Sequence, residues 1–189
     1  MQRKMAATVL VLALFVALVS LTAFGLFTDT ASVGSNVFST GTVDISTAPA
    51  SALVTFSNMA PGDQVTAPIT VSNLGTLDLR YAVRSTTTAG TLAAQLDLTI
   101  KSGVTTCTNA GFGATGIVLY AAADLGSTTG INVVGDPTQG AQAGDRALVT
   151  GASETLCFNV SLPLSTGNAF QNLTTTATFD FLAEQTTNN

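Results

Sequence analysis

The sequence predicts an all-β fold, an antiparallel β-sandwich, behind an N-terminal export signal. Several segments alternate apolar and polar residues with period two, as half-buried strands do. Gly, Pro and Asn turn signals separate them: Gly41, Pro61-Gly62 and Asn73-Leu74-Gly75. Charged residues make up only 9% of the chain, against a usual figure of about 25%. Such a surface is wetted by Thr, Ser, Asn and Gln, which suits an exported β protein. About nine short strands are expected, and no amphipathic helix.

The first 25 residues read as a signal peptide. Arg3 and Lys4 supply the positive start, and Ala6 to Phe24 is an almost unbroken apolar run. Ala23 and Gly25 place small residues where a signal peptidase requires them, so cleavage is expected before Leu26. A retained anchor is the rival reading, because about 19 apolar residues just span a bilayer. The expected mature domain is residues 26–189. It keeps four basic groups, Arg80, Arg84, Lys101 and Arg146, against all 11 acidic ones, a net charge of −7. That balance cannot grip a phosphate backbone, so no nucleic-acid partner is expected.

The new N-terminus would carry an apolar-faced strand, residues 26–38. In extended form Phe27, Ala31, Val33 and Val37 project from one face, with Thr28, Thr30, Ser32 and Asn36 on the other. Val43 and Ile45 share a strand face, and residues 52–57 form a short strand. Val65, Ala67, Ile69 and Val71 alternate cleanly after the Pro61-Gly62 turn. Pro68 cannot donate to a ladder, so this strand is expected at an edge or bulged. Leu77, Leu79, Tyr81 and Val83 make the next face.

Four motifs in order now carry a resemblance. They are Phe27-Thr28-Asp29-Thr30, Phe38-Ser39-Thr40-Gly41-Thr42-Val43-Asp44-Ile45, Asn58-Met59-Ala60-Pro61-Gly62-Asp63 and Val71-Ser72-Asn73-Leu74-Gly75-Thr76-Leu77. Each alone is weak; in this order they resemble the TasA/camelysin family, over about residues 1–85. The resemblance implies a jelly-roll-like sandwich and export through a dedicated SipW-type signal peptidase. It also implies extracellular, biofilm-matrix-type filaments in which subunits pass an N-terminal strand to the next copy. Some members carry a metallo-endopeptidase label. This chain has no His. A Ser-His-Asp triad, a Cys-His pair and a His-based zinc site are therefore excluded.

Residues 92–101 read as a strand with Leu92, Ala94, Leu96, Leu98 and Ile100 on one face and Gln95, Asp97, Thr99 and Lys101 on the other. Lys101, the one Lys after the leader, reads as a solvated strand residue rather than a partner in an isopeptide bond. Residues 102–116 form a loop holding Cys107; 117–122 read as a buried strand and 131–134 as a short one. Asp136 and Asp145 lie in a loop without EF-hand spacing, and a solvated loop outweighs a Ca²⁺ site there. Leu156, Phe158, Val160 and Leu162 point inward, so Cys157 points out of that face. In an exported chain with two Cys, Cys107–Cys157 is expected as a disulfide. Asn159-Val160-Ser161 and Asn172-Leu173-Thr174 match the glycosylation acceptor pattern. Ala177, Phe179, Phe181 and Ala183 line the last strand.

The leading functional expectation is a secreted structural subunit that polymerises with copies of itself by donor-strand exchange. Its donor residues would be Phe27, Ala31, Val33 and Val37. No catalytic residue, metal or cofactor is expected, and membrane contact only through the uncleaved leader. The alternative is a monomeric secreted binding module using the loops 102–116 and 123–145.

Overall fold

The structure is a computed structural model and describes residues 5, 8, 9, 11, 37, 39–50 and 59–187. The expected cleavage residues Ala23, Gly25 and Leu26 lie outside the described residues, as do Phe27, Ala31, Val33 and the strand expected at 52–57. The chain divides into two compact units, Met1–Ser39 and Thr40–Asn189. In the first unit Met5, Thr8, Val9 and Val11 are helical, and Val37 is 88% exposed.

The second unit is the antiparallel sandwich that the alternation predicts. Its strands are β1 (Ile45–Ala48), β2 (Gln64–Asn73), β3 (Leu79–Thr87), β4 (Asp97–Ser102), β5 (Ile117–Asp124), β6 (Ile131–Val134), β7 (Arg146–Leu148), β8 (Ser153–Ser161) and β9 (Ala177–Gln185). One sheet runs β1-β2-β8-β4-β5. In the other, β3 pairs along its whole length with β9, while β7 and β6 share its opposite side. Period-two patterning places Ile69 and Val71, Leu79, Tyr81 and Val83, Leu98 and Ile100, and Leu156 and Phe158 between the sheets. Fully burying each such side chain contributes about 1.5–3 kcal/mol. Phe158 meets Phe179 edge-on across the sheets, with ring centroids 4.9 Å apart.

Pro68 does not put β2 at the edge of its sheet or in a bulge: β2 lies between β1 and β8 with no register shift. On one side β2 pairs with β8 in continuous register through Pro68↔Cys157. On the other, β1 pairs only as far as Thr70 and stops short of the residue that has no N–H.

Two expectations need correction. Residues 92–96 are not strand: Gly90–Ala93 is a one-turn helix, α1, with Ala94 N–H donating to Gly90 O, and β4 begins at Asp97. Leu92 and Leu96 stand four apart, which suits a helical turn as well as an alternating strand. The strand at 117–122 is not buried. Among the described residues β5 is the edge strand of its sheet, with Ile117 71% and Val118 50% exposed.

Cys107 and Cys157 form a disulfide with Cα atoms 5.7 Å apart. Cys157 does project from the outer face of its sheet, between Pro68 and Lys101, yet it is buried. The loop 103–116 covers it. Lys101 Nζ donates to Phe112 O at 2.9 Å and lies 4.6 Å from the centre of the Phe112 ring. Asn109 Nδ2 reaches across to Gln64 O at 2.9 Å. The loop is thus fastened to β4, β8 and β2. The bond closes a separation of 50 residues, worth about 4 kcal/mol on the chain-entropy model. Denaturant titration with and without reductant should show a loss of this size; coincident midpoints would contradict it.

Candidate functional site

Two of the family-like motifs, 38–45 and 71–77, meet at one end of the sandwich. Asn73 ends β2 and is fully buried. Its Nδ2 donates to Leu77 O at 2.8 Å and Leu148 O at 3.1 Å, and its Oδ1 accepts from Gly75 N–H at 3.0 Å. Every polar atom of the side chain is therefore used, which keeps its burial inexpensive. The turn that Asn73 shapes grips the start of the second unit. Leu74 N–H donates to Asp44 O, Thr76 and Leu77 N–H both donate to Thr42 O, and Thr42 N–H donates to Thr76 Oγ1. A Cβ on Gly75 would sit 2.4 Å from Thr42 O, and one on Gly41 would sit 2.5 Å from Leu77 Cδ2. Both glycines are needed for this close approach.

The third motif works at the other end. Asp63 accepts from Ala60 N–H at 2.8 Å, and Gly62, at φ +97°, donates to Leu162 O at 2.7 Å. Pro61-Gly62 is the turn that fastens the start of β2 to the end of β8.

A polar clamp joins the two sheets. Tyr81 on β3 donates to Glu154 Oε1 on β8 at 2.7 Å. Arg146 on β7 holds Glu154 through both carboxylate oxygens, at 3.2 and 2.6 Å. Burial, and then the hydrogen bond to Glu154, push the Tyr81 hydroxyl above its ordinary range. The Glu154 hydrogen bond also holds the Arg146 guanidinium more firmly protonated. A folded pKa above the unfolded one, which is about 10 for Tyr, gives stability that is complete below that pH and lost as pH rises.

A cleft of about 240 Å³ lies on the outer face of the smaller sheet, among Arg80, Asp136, Gln139, Asp145, Leu182 and Glu184. Its carboxylates hold their own loop in place. Asp145 accepts from Asp136 N–H at 3.0 Å and from Gln142 N–H at 2.8 Å. Asp136 accepts from the hydroxyl and the N–H of Thr138, which lowers its pKa. Glu184 accepts from Gly140 N–H at 3.0 Å and pairs with Arg80. Of the acceptor-pattern asparagines, Asn159 is buried and donates to Gln64 Oε1 and Thr66 Oγ1. Asn172 is exposed, at φ 58°.

The family profile described as camelysin metallo-endopeptidase matches residues 1–189. The chain belongs to the camelysin family. No curated protein matches it. Membership supports an exported protein. No helix among the described residues is long and apolar enough to cross a membrane.

The enzymatic description of the camelysins calls for a metal, and the side chains described here do not fit one. Both Cys are consumed in the disulfide. Asp63, Asp136, Asp145, Glu154 and Glu184 are committed to N–H, hydroxyl or guanidinium donors. Asp97 and Asp124 are cross-strand partners, but they are only a pair. No group of three or more His, Cys, Asp or Glu among the described residues could hold an ion.

Sequence reasoning marked Asn73-Leu74-Gly75 as a turn but did not find its grip on Thr42. It missed the Tyr81–Glu154–Arg146 clamp altogether. The substitution Gly75→Ala should cost about 1–3 kcal/mol of overpacking. Thermal denaturation would show a lowered Tm, and an unchanged Tm would mean that the grip is not tight.

Proposed function

We propose that this camelysin relative is a secreted structural subunit that polymerises into extracellular filaments by passing its N-terminal strand to the next copy. One observation carries the reading. The second unit begins at Thr40, its Thr42 is held by the turn at 73–77, and inward-facing Phe179 and Phe181 on β9 are only half-buried. Ahead of it lies residues 26–38, a strand-forming segment with Phe27, Ala31, Val33 and Val37 on one face. Period two puts Asp29 and Ser35 on that same face, so its apolar part is short. A strand-forming segment of one copy and half-buried rings of the next suit each other, and strand addition would supply main-chain hydrogen bonds. The contact is head-to-tail and propagates unless it closes a ring.

Among the described residues, the family-like motifs hold turns and the start of the second unit. Those residues are not arranged as a nucleophile, base or ligand set. The reading therefore assigns no catalysis to them. It also supplies a reason for the leader, whose membrane tether would keep the strand from exchanging before export.

Electron microscopy of the purified protein beginning at Leu26 should show filaments, and the same protein beginning at Thr40 should show none. Filaments from the shorter chain would remove the N-terminal strand from the assembly. A mature protein that stays monomeric at high concentration would favour a binding module.

A further inference from the structure

Two triplets of the glycosylation acceptor pattern lie on the second unit, and the fold treats them in opposite ways. Asn159-Val160-Ser161 is inside β8, which pairs with β2 on one side and β4 on the other. Asn159 is 6% exposed. An amide side chain has two N–H donors. Those of Asn159 are spent on Gln64 Oε1 at 3.1 Å and Thr66 Oγ1 at 2.7 Å. Reaching its Nδ2 would mean drawing a central strand out of the sheet.

Asn172-Leu173-Thr174 is the reverse case. All three residues are exposed and lie outside any strand or helix. Asn172 sits at φ 58°, a left-handed conformation that Asn adopts more readily than most residues. Neither the amide of Asn172 nor the hydroxyl of Thr174 has a hydrogen bond to any described residue. The triplet is nevertheless fastened on both sides. Before it, Gln171 N–H donates to Asn168 O and Gln171 Nε2 to Asn168 Oδ1, each at 3.2 Å, next to the single 3₁₀ turn Asn168–Phe170. After it, Thr175 Oγ1 donates to Ala89 O at 3.1 Å and Thr176 N–H to Thr88 Oγ1 at 2.9 Å. An enzyme can therefore seize residues 172–174 without breaking a bond that the fold needs.

We propose that Asn172 is the acceptor of an N-linked oligosaccharide, and that Asn159 is never modified. The co-reactant is an oligosaccharide carried on a polyprenyl phosphate at the outer face of the membrane, and the catalyst is a membrane oligosaccharyltransferase. Nδ2 forms a bond to the anomeric carbon of the first sugar, and the bond from that carbon to the phosphate oxygen breaks. The oxygen keeps the electron pair, and the proton lost from Nδ2 balances the charge it gains. The Thr174 hydroxyl is the second recognition point, since the pattern requires Ser or Thr there and a residue other than Pro between, here Leu173. The proposal needs export, which family membership supports, and is independent of the filament reading. A hydrated sugar at this loop adds polar surface to a chain in which only 9% of residues are charged.

Peptide mapping of the full-length product exported by the cells that naturally make it tests the site. Chymotrypsin cuts after Phe158, Leu162 and Phe170, so the two asparagines fall in different peptides. The peptide carrying Asn172 should be heavier than its sequence by whole sugar units, and the one carrying Asn159 should have its bare sequence mass. Asn172→Gln and Thr174→Ala should each remove the whole increment, while Thr174→Ser should retain it. Thr174→Ala leaves the backbone at Asn172 unaltered, so a loss of sugar there reports on recognition and not on folding. Sugar on Asn159, or an increment that survives Thr174→Ala, would overturn the assignment. So would an Asn172 peptide at its bare sequence mass in the unsubstituted protein.

Discussion

The grip of the 73–77 turn on residues 42–44 decides how this molecule is organised. Three N–H groups of the turn donate to Thr42 and Asp44 carbonyls, and Thr42 N–H donates back to the Thr76 hydroxyl. Each such bond contributes a net of about 0.5–1.5 kcal/mol. The sum is modest, but the geometry is exacting, since Gly75 leaves no room for a side chain between the two segments. This grip fixes residues 42–44 at one end of the sandwich, opposite the end where Pro61-Gly62 fastens β2 to β8.

The remaining polar groups serve the same scaffold. Glu154 ties Tyr81 and Arg146 across the two sheets. Asp145 and Glu184 shape and dock the loop before β7. The disulfide, with Lys101 and Phe112, fastens a 14-residue stretch, 103–116, over the outer face of the larger sheet. A chain with few charges has placed most of them on structural duty. That is the physical difficulty with reading a metalloprotease into the described residues: most of their carboxylates are already holding protein.

Much of the fold was legible because half-buried strands alternate. β2, β3, β8 and β9 each carry large residues every second position, and each appears within a few residues of its expected place. The errors have physical reasons. Leu92 and Leu96 satisfy helical spacing as readily as strand spacing. The run from Ile117 to Ala122 is apolar whether its strand is central or at an edge, and only tertiary pairing distinguishes the two. β7 has three residues, too few for any pattern. The clamp joins residues 81, 146 and 154 on three strands, and no sequence spacing announces it. The turn motifs were visible, but their function of fixing where the chain starts could be seen only once Thr42 was placed beside Thr76.

Hydrogen exchange tests the central claim most directly. Amides of residues 26–38 would be compared between assembled and dilute mature protein. The account predicts stronger protection of these amides in the assembled protein. Equal exchange in the two samples, with filaments present, would contradict it.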